Sequence, residues 1–165
     1  MNIRPIQFAD NALIEGIIRE SLMEFGGNRE GLAWADPSMS DLYHYYSGQA
    51  DRAYWIAEED GKVLGGCGIA PFADSETGRI CELQKMYLSR GSRGTGVAKE
   101  LLQTALDFAG QHYSKCYLET LQNMHAANRF YAKHGFERLD APLAGSEHFA
   151  CDAWYIKDLD SIERK

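Results

Sequence analysis

The chain has 165 residues, 45% of them hydrophobic, with a formal net charge of −7, which suits one compact domain over residues 1–165 with a sizeable core. No apolar run approaches the roughly 20 residues that cross a bilayer, and Met1-Asn2-Ile3-Arg4-Pro5 lacks the apolar centre of a signal peptide, so a cytoplasmic protein without a membrane partner is expected. The acidic balance argues against nucleic acid, whose phosphates call for a basic face, and mildly favours a cationic small molecule.

Ile3 to Phe8 reads as a short strand, with Pro5 tolerable near a sheet edge. Asp10 is placed to cap a helix in which Leu13, Ile14, Ile17, Ile18, Leu22 and Phe25 recur at helical spacing, until Gly26-Gly27-Asn28 stops it. Ser38 or Ser40 starts a shorter helix through Leu42, Tyr43 and Tyr46; the stretch before it, with Trp34 and Asp36, has no clear pattern. Ala53 to Glu59 and Lys62 to Ile69 form a hairpin about Asp60-Gly61, and Arg79 to Leu88 is a third strand. Val97, Leu101, Leu102, Ala105, Leu106 and Ala109 make one stripe on a helix from about Gly94 to Gln111, and the strand Lys115 to Thr120 completes a crossover. A helix from about Met124 to His134 ends at Gly135, and Phe136 to Leu139 and Cys151 to Leu159 are two last strands flanking a Pro/Gly/Ser loop. The order β, α, α, β, β, β, α, β, α, β, β predicts an α/β fold with a mixed sheet. Exposed strand edges near Cys151 to Ile156 could pair between subunits in a homodimer.

Cys67, Cys81, Cys116 and Cys151 lie far apart among apolar residues and read as free buried thiols. His112, His125, His134 and His148 form no ligand-spaced set, so no metal is expected.

The most informative stretch is Arg90-Gly91-Ser92-Arg93-Gly94-Thr95-Gly96-Val97-Ala98-Lys99, three glycines and three cations between a strand and a long helix. The N–H groups and dipole of such a helix start favour an anion. A Walker loop is excluded, because Val97-Ala98 follow Gly96 where Lys-Ser/Thr is required, and a dinucleotide fingerprint is excluded by Lys99 at the third glycine position.

What remains, Arg93-x-x-Gly96-x-Ala98, is similar to the Gln/Arg-x-x-Gly-x-Gly/Ala signature of the GNAT acetyltransferases. Cys81-Glu82-Leu83-Gln84-Lys85-Met86-Tyr87-Leu88 before it and Ala126-Ala127-Asn128-Arg129-Phe130-Tyr131-Ala132-Lys133-His134-Gly135-Phe136 after it resemble that family's segments in order and spacing. The resemblance implies about seven strands splayed between the fourth and fifth, flanked by about four helices, and transfer of an acetyl group from acetyl-CoA to a primary amine of a small molecule or peptide. It places the pyrophosphate on Arg93, Gly94, Thr95, Gly96, Val97, Ala98 and Lys99, and the pantetheine arm along the backbones of Met86, Tyr87 and Leu88, where a bulge would aim an N–H at the thioester carbonyl. Asn128 is a further expected cofactor contact, since the position seven before Tyr131, where many members carry asparagine, is Met124.

Two residues are expected to move protons. Tyr131 stands where the family carries its general acid, and a phenol of ordinary pKa about 10 can protonate a thiolate. Glu82, a lone carboxylate at an apolar strand start, is the candidate base, because partial burial raises a carboxyl toward neutrality; a solvent-facing or amine-binding glutamate is the alternative. His148 either lines the acceptor end or belongs to a surface loop. Direct transfer in a ternary complex is expected, with residues 28–46 and 139–150 choosing the acceptor. A non-catalytic acyl-CoA sensor and an O-acyl or longer-chain transferase are the competing readings.

Overall fold

The computed structural model describes residues 1–75 and 78–159. Strand β1 (Asn2–Pro5) lies at one sheet edge, so Pro5 costs no ladder bond on its open side. It is shorter than the sequence predicts because Phe8–Asp10 close into a 3₁₀ turn. The Asp10 carboxylate does not bond to the next helix as a cap. It accepts instead from the Gln7 N–H (2.7 Å) and from Arg4 (2.7 Å), a cation the strand supplies.

Helix α1 (Asn11–Glu24) buries Ile14, Ile18 and Leu22, one turn apart, on one face of the sheet. Helix α2 (Leu42–Tyr46) is started by Asp41, whose carboxylate accepts from the His44 N–H, rather than by Ser38 or Ser40; those two serines lie in a 3₁₀ turn that follows Pro37. Strands β2 (Ala53–Glu59), β3 (Lys62–Ser75) and β4 (Gly78–Leu88) form an antiparallel meander, with β3 running beyond its predicted end at Ile69. Helix α3 (Val97–His112) crosses the other face, burying Val97, Leu101, Leu102, Ala105 and Ala109, and delivers β5 (Lys115–Thr120) parallel to β4. Helix α4 (His125–Lys133), β6 (Glu137–Leu139) and β7 (Ala153–Asp158) complete the described chain.

The seven strands lie in the order β1-β2-β3-β4-β5-β7-β6. One apolar core packs under α3 and α4, the other under α1 and α2. Strand β7 is hydrogen-bonded on both sides, to β5 and to β6. The edge expected near Cys151 to Ile156 for pairing between subunits is therefore absent; the open edges are β1 and β6.

The feature that makes a site is the short contact between β4 and β5. They pair only through Ile80–Lys115, Cys81–Cys116 and Glu82–Tyr117, and then separate. This is the splay between fourth and fifth strands that the resemblance implies.

Candidate active site

Between the separating strands runs a groove of about 310 Å³. Its walls are β4 from Leu83 to Leu88, Leu118 to Thr120 of β5, and Ala127, Phe130 and Tyr131 of α4; Arg93, Gly94 and Ala98 stand at its outer end. Past Glu82, β4 has a strand partner only in β3. Its other row of N–H and C=O groups faces the groove, ready to pair with an extended polar chain as an added strand would.

A bulge interrupts β4 inside this wall. Tyr87 pairs with Gly66 and Gln84 with Gly68, so β4 holds one residue more than β3 between those pairs, and Lys85 has φ 49°. A lysine in the left-handed region is strained. Its carbonyl is held by the buried Tyr54 hydroxyl, which donates to Lys85 O at 2.8 Å, and its ammonium, 5% exposed, pairs with Asp36 at 2.7 Å.

A second cavity, of about 380 Å³, opens on the far side of the bulge. Its wall includes Tyr45, Phe72, Glu82, Gln84 and His148, and it shares Lys85 and Glu119 with the groove. Two segments meet over it: the Ala150 N–H donates to Gly31 O at 3.0 Å, and His148 Nε2 lies 2.8 Å from Asp36 Oδ1. His148 therefore lines the cavity. Burial disfavours its charged form, but the hydrogen bond and charge of Asp36 outweigh that and raise its pKa. Asp36 is likewise pushed up by burial and pulled further down by His148 and Lys85.

Glu82 is half-buried at the point where the strands part. Burial is the main cause that pushes its carboxyl up to about 7; the Gln84 amide, donating at 2.7 Å, opposes this, and the negative charge of Glu119 adds to it. Glu119, not among the sequence candidates, carries the same signature as Glu82: one carboxylate after an apolar strand start, Cys116-Tyr117-Leu118. Its side chain is 2% exposed and accepts from the Tyr117 hydroxyl at 2.7 Å. Asp36 could not be found this way, because its segment has neither helical nor strand periodicity.

On the opposite wall, Tyr131 is 8% exposed, packed among Phe130, Phe136 and Tyr155. Its hydroxyl reaches the groove and has no hydrogen-bond partner among the described residues. Burial raises its pKa well above the ordinary value, so the phenol stays protonated throughout the neutral range.

In the loop from Arg90 to Lys99 the backbone opens into the start of α3, while most of its side chains turn to partners within the protein or away from the groove. Gly94 (φ 73°) and Gly96 (φ 91°) adopt conformations that suit glycine, and Gly96 leads directly into α3. The N–H groups of Val97, Ala98 and Lys99 form the first turn of α3, which lacks intrahelical acceptors. The Val97 side chain is core, Lys99 is exposed away from the groove wall, and the Thr95 hydroxyl donates to Ser92 O. Arg93 pairs with Glu24 at 2.9 Å and Arg90 with the same carboxylate at 3.2 Å, so α1 neutralises part of the positive cluster.

Asn128 departs from its expected place at the cofactor. Its amide nitrogen donates to Leu121 O (2.9 Å) and Met124 O (2.7 Å), and its oxygen accepts from the Tyr155 hydroxyl (2.7 Å). Both functions are spent tying the start of α4 to β7, and it is Met124 that lines the groove.

The model of the acetyltransferase (GNAT) family matches residues 17–136. The chain is 39% identical over 159 residues to the uncharacterized N-acetyltransferase YjgM of Escherichia coli K12, covering 95% of this chain and 94% of that one. Its fold is similar to an acetyltransferase of the GNAT family from Staphylococcus aureus Mu50 (TM-score 0.79, 20% identity, 96% and 99% of the two chains). It is also similar to the PaiA N-acetyltransferase of Thermoplasma acidophilum in complex with coenzyme A (TM-score 0.72, 18% identity, 95% and 98%). A splayed mixed sheet, a bulged fourth strand, a glycine-rich helix start and a family match over most of the length agree: the chain belongs to the GNAT family of acetyltransferases.

Proposed function

We propose that the protein transfers an acetyl group from acetyl-CoA directly to a primary amine, with the thioester lying at the Lys85 bulge. The observation that carries this is the junction of two cavities. The groove and the acceptor cavity meet at Lys85 and Glu119, with the Tyr131 hydroxyl on the groove wall and Glu82 on the cavity wall.

The residues present fit acetyl-CoA as substrate. The open row of β4 peptide groups from Leu83 to Leu88, with Met86, Tyr87 and Leu88 at its outer end, matches the amides of an extended pantetheine arm, and the first turn of α3 matches a pyrophosphate. Arg93 then exchanges Glu24 for phosphate. The bulge turns a backbone N–H toward the carbonyl oxygen, where it stabilises the oxyanion that forms on amine attack. Glu82, poised to titrate near neutrality, takes the proton from the acceptor ammonium, leaving a free amine lone pair. Tyr131 gives its proton to the departing sulfur and regains one from the cationic nitrogen of the adduct as it becomes the amide. The unpartnered Tyr131 hydroxyl costs no broken hydrogen bond when it swings to a thiolate.

The test is mass-spectrometric detection of product when purified protein meets acetyl-CoA and separate pools of polyamines, amino acids, aminoglycosides and peptides with free N-termini. One amine gaining an acetyl group well above the enzyme-free control is expected. Acetyl-CoA binding with no product from any pool, or product only on a hydroxyl, refutes the reading.

A further inference from the structure

Behind the junction lies a third, smaller cavity of about 40 Å³, whose wall includes Glu82, Glu119, His148 and Cys151. It has room for one ion or one water. Glu119, His148 and Cys151 each present one ligand atom here, and the three atoms lie within 4.8 Å of one another. They come from two places. Glu119 is fixed on β5 by the Tyr117 hydroxyl through Oε2, which leaves Oε1 turned to the cavity. His148 and Cys151 flank a turn closed by the Cys151 N–H donating to His148 O at 3.1 Å, which brings side chains three apart to one side.

The state of each donor is informative. His148 Nε2 is held by Asp36, and Nδ1 faces Glu119 Oε1 at 3.8 Å, too long for a hydrogen bond. A carboxylate on one imidazole nitrogen with the other nitrogen turned to a ligand position is the outer support that metal-bound histidines have. The Cys151 thiol has no hydrogen-bond partner among the described residues. Sulfur, imidazole nitrogen and carboxylate oxygen together suit a borderline-soft ion of tetrahedral habit, with bonds of about 2.0–2.3 Å. The three atoms lie up to about 1 Å further apart than such an ion needs; His148 and Glu119 are held by Asp36 and Tyr117, so rotation of the Cys151 side chain, which no hydrogen bond holds, is what would close the site.

We infer that Glu119, His148 and Cys151 form a binding site for a zinc-class divalent cation, and that the bound ion inhibits the enzyme by occupying the acceptor side of the junction. Binding replaces the Cys151 S–H bond with a sulfur–metal bond and displaces the Nδ1 proton that His148 carries in its charged form; each proton goes to solvent, with no change of oxidation state. Glu82 lines the same cavity, and its negative charge, when ionised, adds to the attraction. Spacing in the sequence does not reveal the site, because the third ligand lies 29 residues before His148 on another element. The inhibitory half of the inference rests on the acetyl-transfer reading; the binding half does not.

The test titrates Co²⁺ into the purified, reduced, chelator-treated full chain and follows the thiolate-to-cobalt absorption in the near ultraviolet. The expected result is a band that saturates at one equivalent, is abolished by excess Zn²⁺, and is lost in Cys151→Ser. Cys67, Cys81 and Cys116 remain in that variant as an internal control. His148→Gln gives a second variant, expected to weaken Co²⁺ binding at least tenfold. In the transfer assay Cys151→Ser should keep its metal-free rate and need at least tenfold more Zn²⁺ for half inhibition. A band equally strong in Cys151→Ser, or no band in the wild type, overturns the site. A band with no acetylated amine leaves the site standing and refutes the enzyme reading instead, whereas inhibition unchanged in Cys151→Ser overturns the inhibitory role.

Discussion

Replacing Glu82 by glutamine separates the cost of this carboxylate from its use. Burial and Glu119 raise the Glu82 carboxyl from its ordinary 4.5 to about 7, so holding it ionised in the fold costs about 3 kcal/mol, at about 1.4 kcal/mol for each pH unit. The sign follows from proton binding. Between pH 4.5 and 7 the folded chain keeps a proton that the unfolded chain has lost, so Glu82 lowers stability progressively as pH rises through that window, and the cost is complete above pH 7. Glutamine cannot ionise and can still accept the Gln84 hydrogen bond. The variant is therefore expected to match wild type at pH 4 and to exceed it at pH 8 by about 3 kcal/mol, or roughly 10 °C in Tm for a domain of this size. Its turnover should fall by about 10²–10⁴, the worth of a general base, and the rise in kcat/KM through pH 7 should disappear. Thermal melts and rate profiles over the same pH range read both effects. Parallel stability curves for the two proteins, or an unaltered limb near pH 7 in the variant, would refute the account.

Tyr131→Phe should lower kcat by at least about tenfold while acetyl-CoA affinity, measured by calorimetry, stays within a factor of two; equal turnover would remove Tyr131 from the acid role. Gly96→Val puts a β-branched side chain at φ 91°, which costs about 1–3 kcal/mol in strain although no atom lies within 4 Å of the added carbon; loss of coenzyme A binding with the protein still folded is expected. Glu24→Gln frees Arg93 from its carboxylate partner and leaves Arg90 only Glu20 at 3.7 Å, and should tighten coenzyme A binding several-fold at low salt, an effect that disappears above about 0.5 M salt as screening grows. Tyr54→Phe removes the donor to Lys85 O, and should cost about 1 kcal/mol in stability and act on kcat more than on KM.

Periodicity carried the fold: the stripe of α3, the Asp60-Gly61 hairpin and the crossover to β5 are local patterns that fix the strand order, and the resemblance added the splay. Glu82 stands out locally as a charge in an apolar strand start, whereas Tyr131 is singled out only by the resemblance; the structure places both on walls of the candidate site. Asp36 and the exact use of Asn128 were not legible in the sequence. Asp36 acquires its meaning from Lys85 and His148, 49 and 112 residues away, and no local pattern encodes such a meeting. Asn128 fits the cofactor by sequence position, but the Tyr155 hydroxyl, reached only once β7 inserts beside β5, claims its oxygen.

The bulge at Lys85 is governed from two strands away. Tyr54 reaches Lys85 by lying across β3 where a methyl group on Gly66 would stand 2.5 Å from its ring. A glycine outside the walls of the groove and both cavities thus bears on the tilt of one peptide plane at the junction between them. Adding a single carbon there would leave every polar group of the cavity in its sequence position and still displace Tyr54, so the geometry of the bulge can be altered from the interior of β3 without a change in any residue that lines the groove.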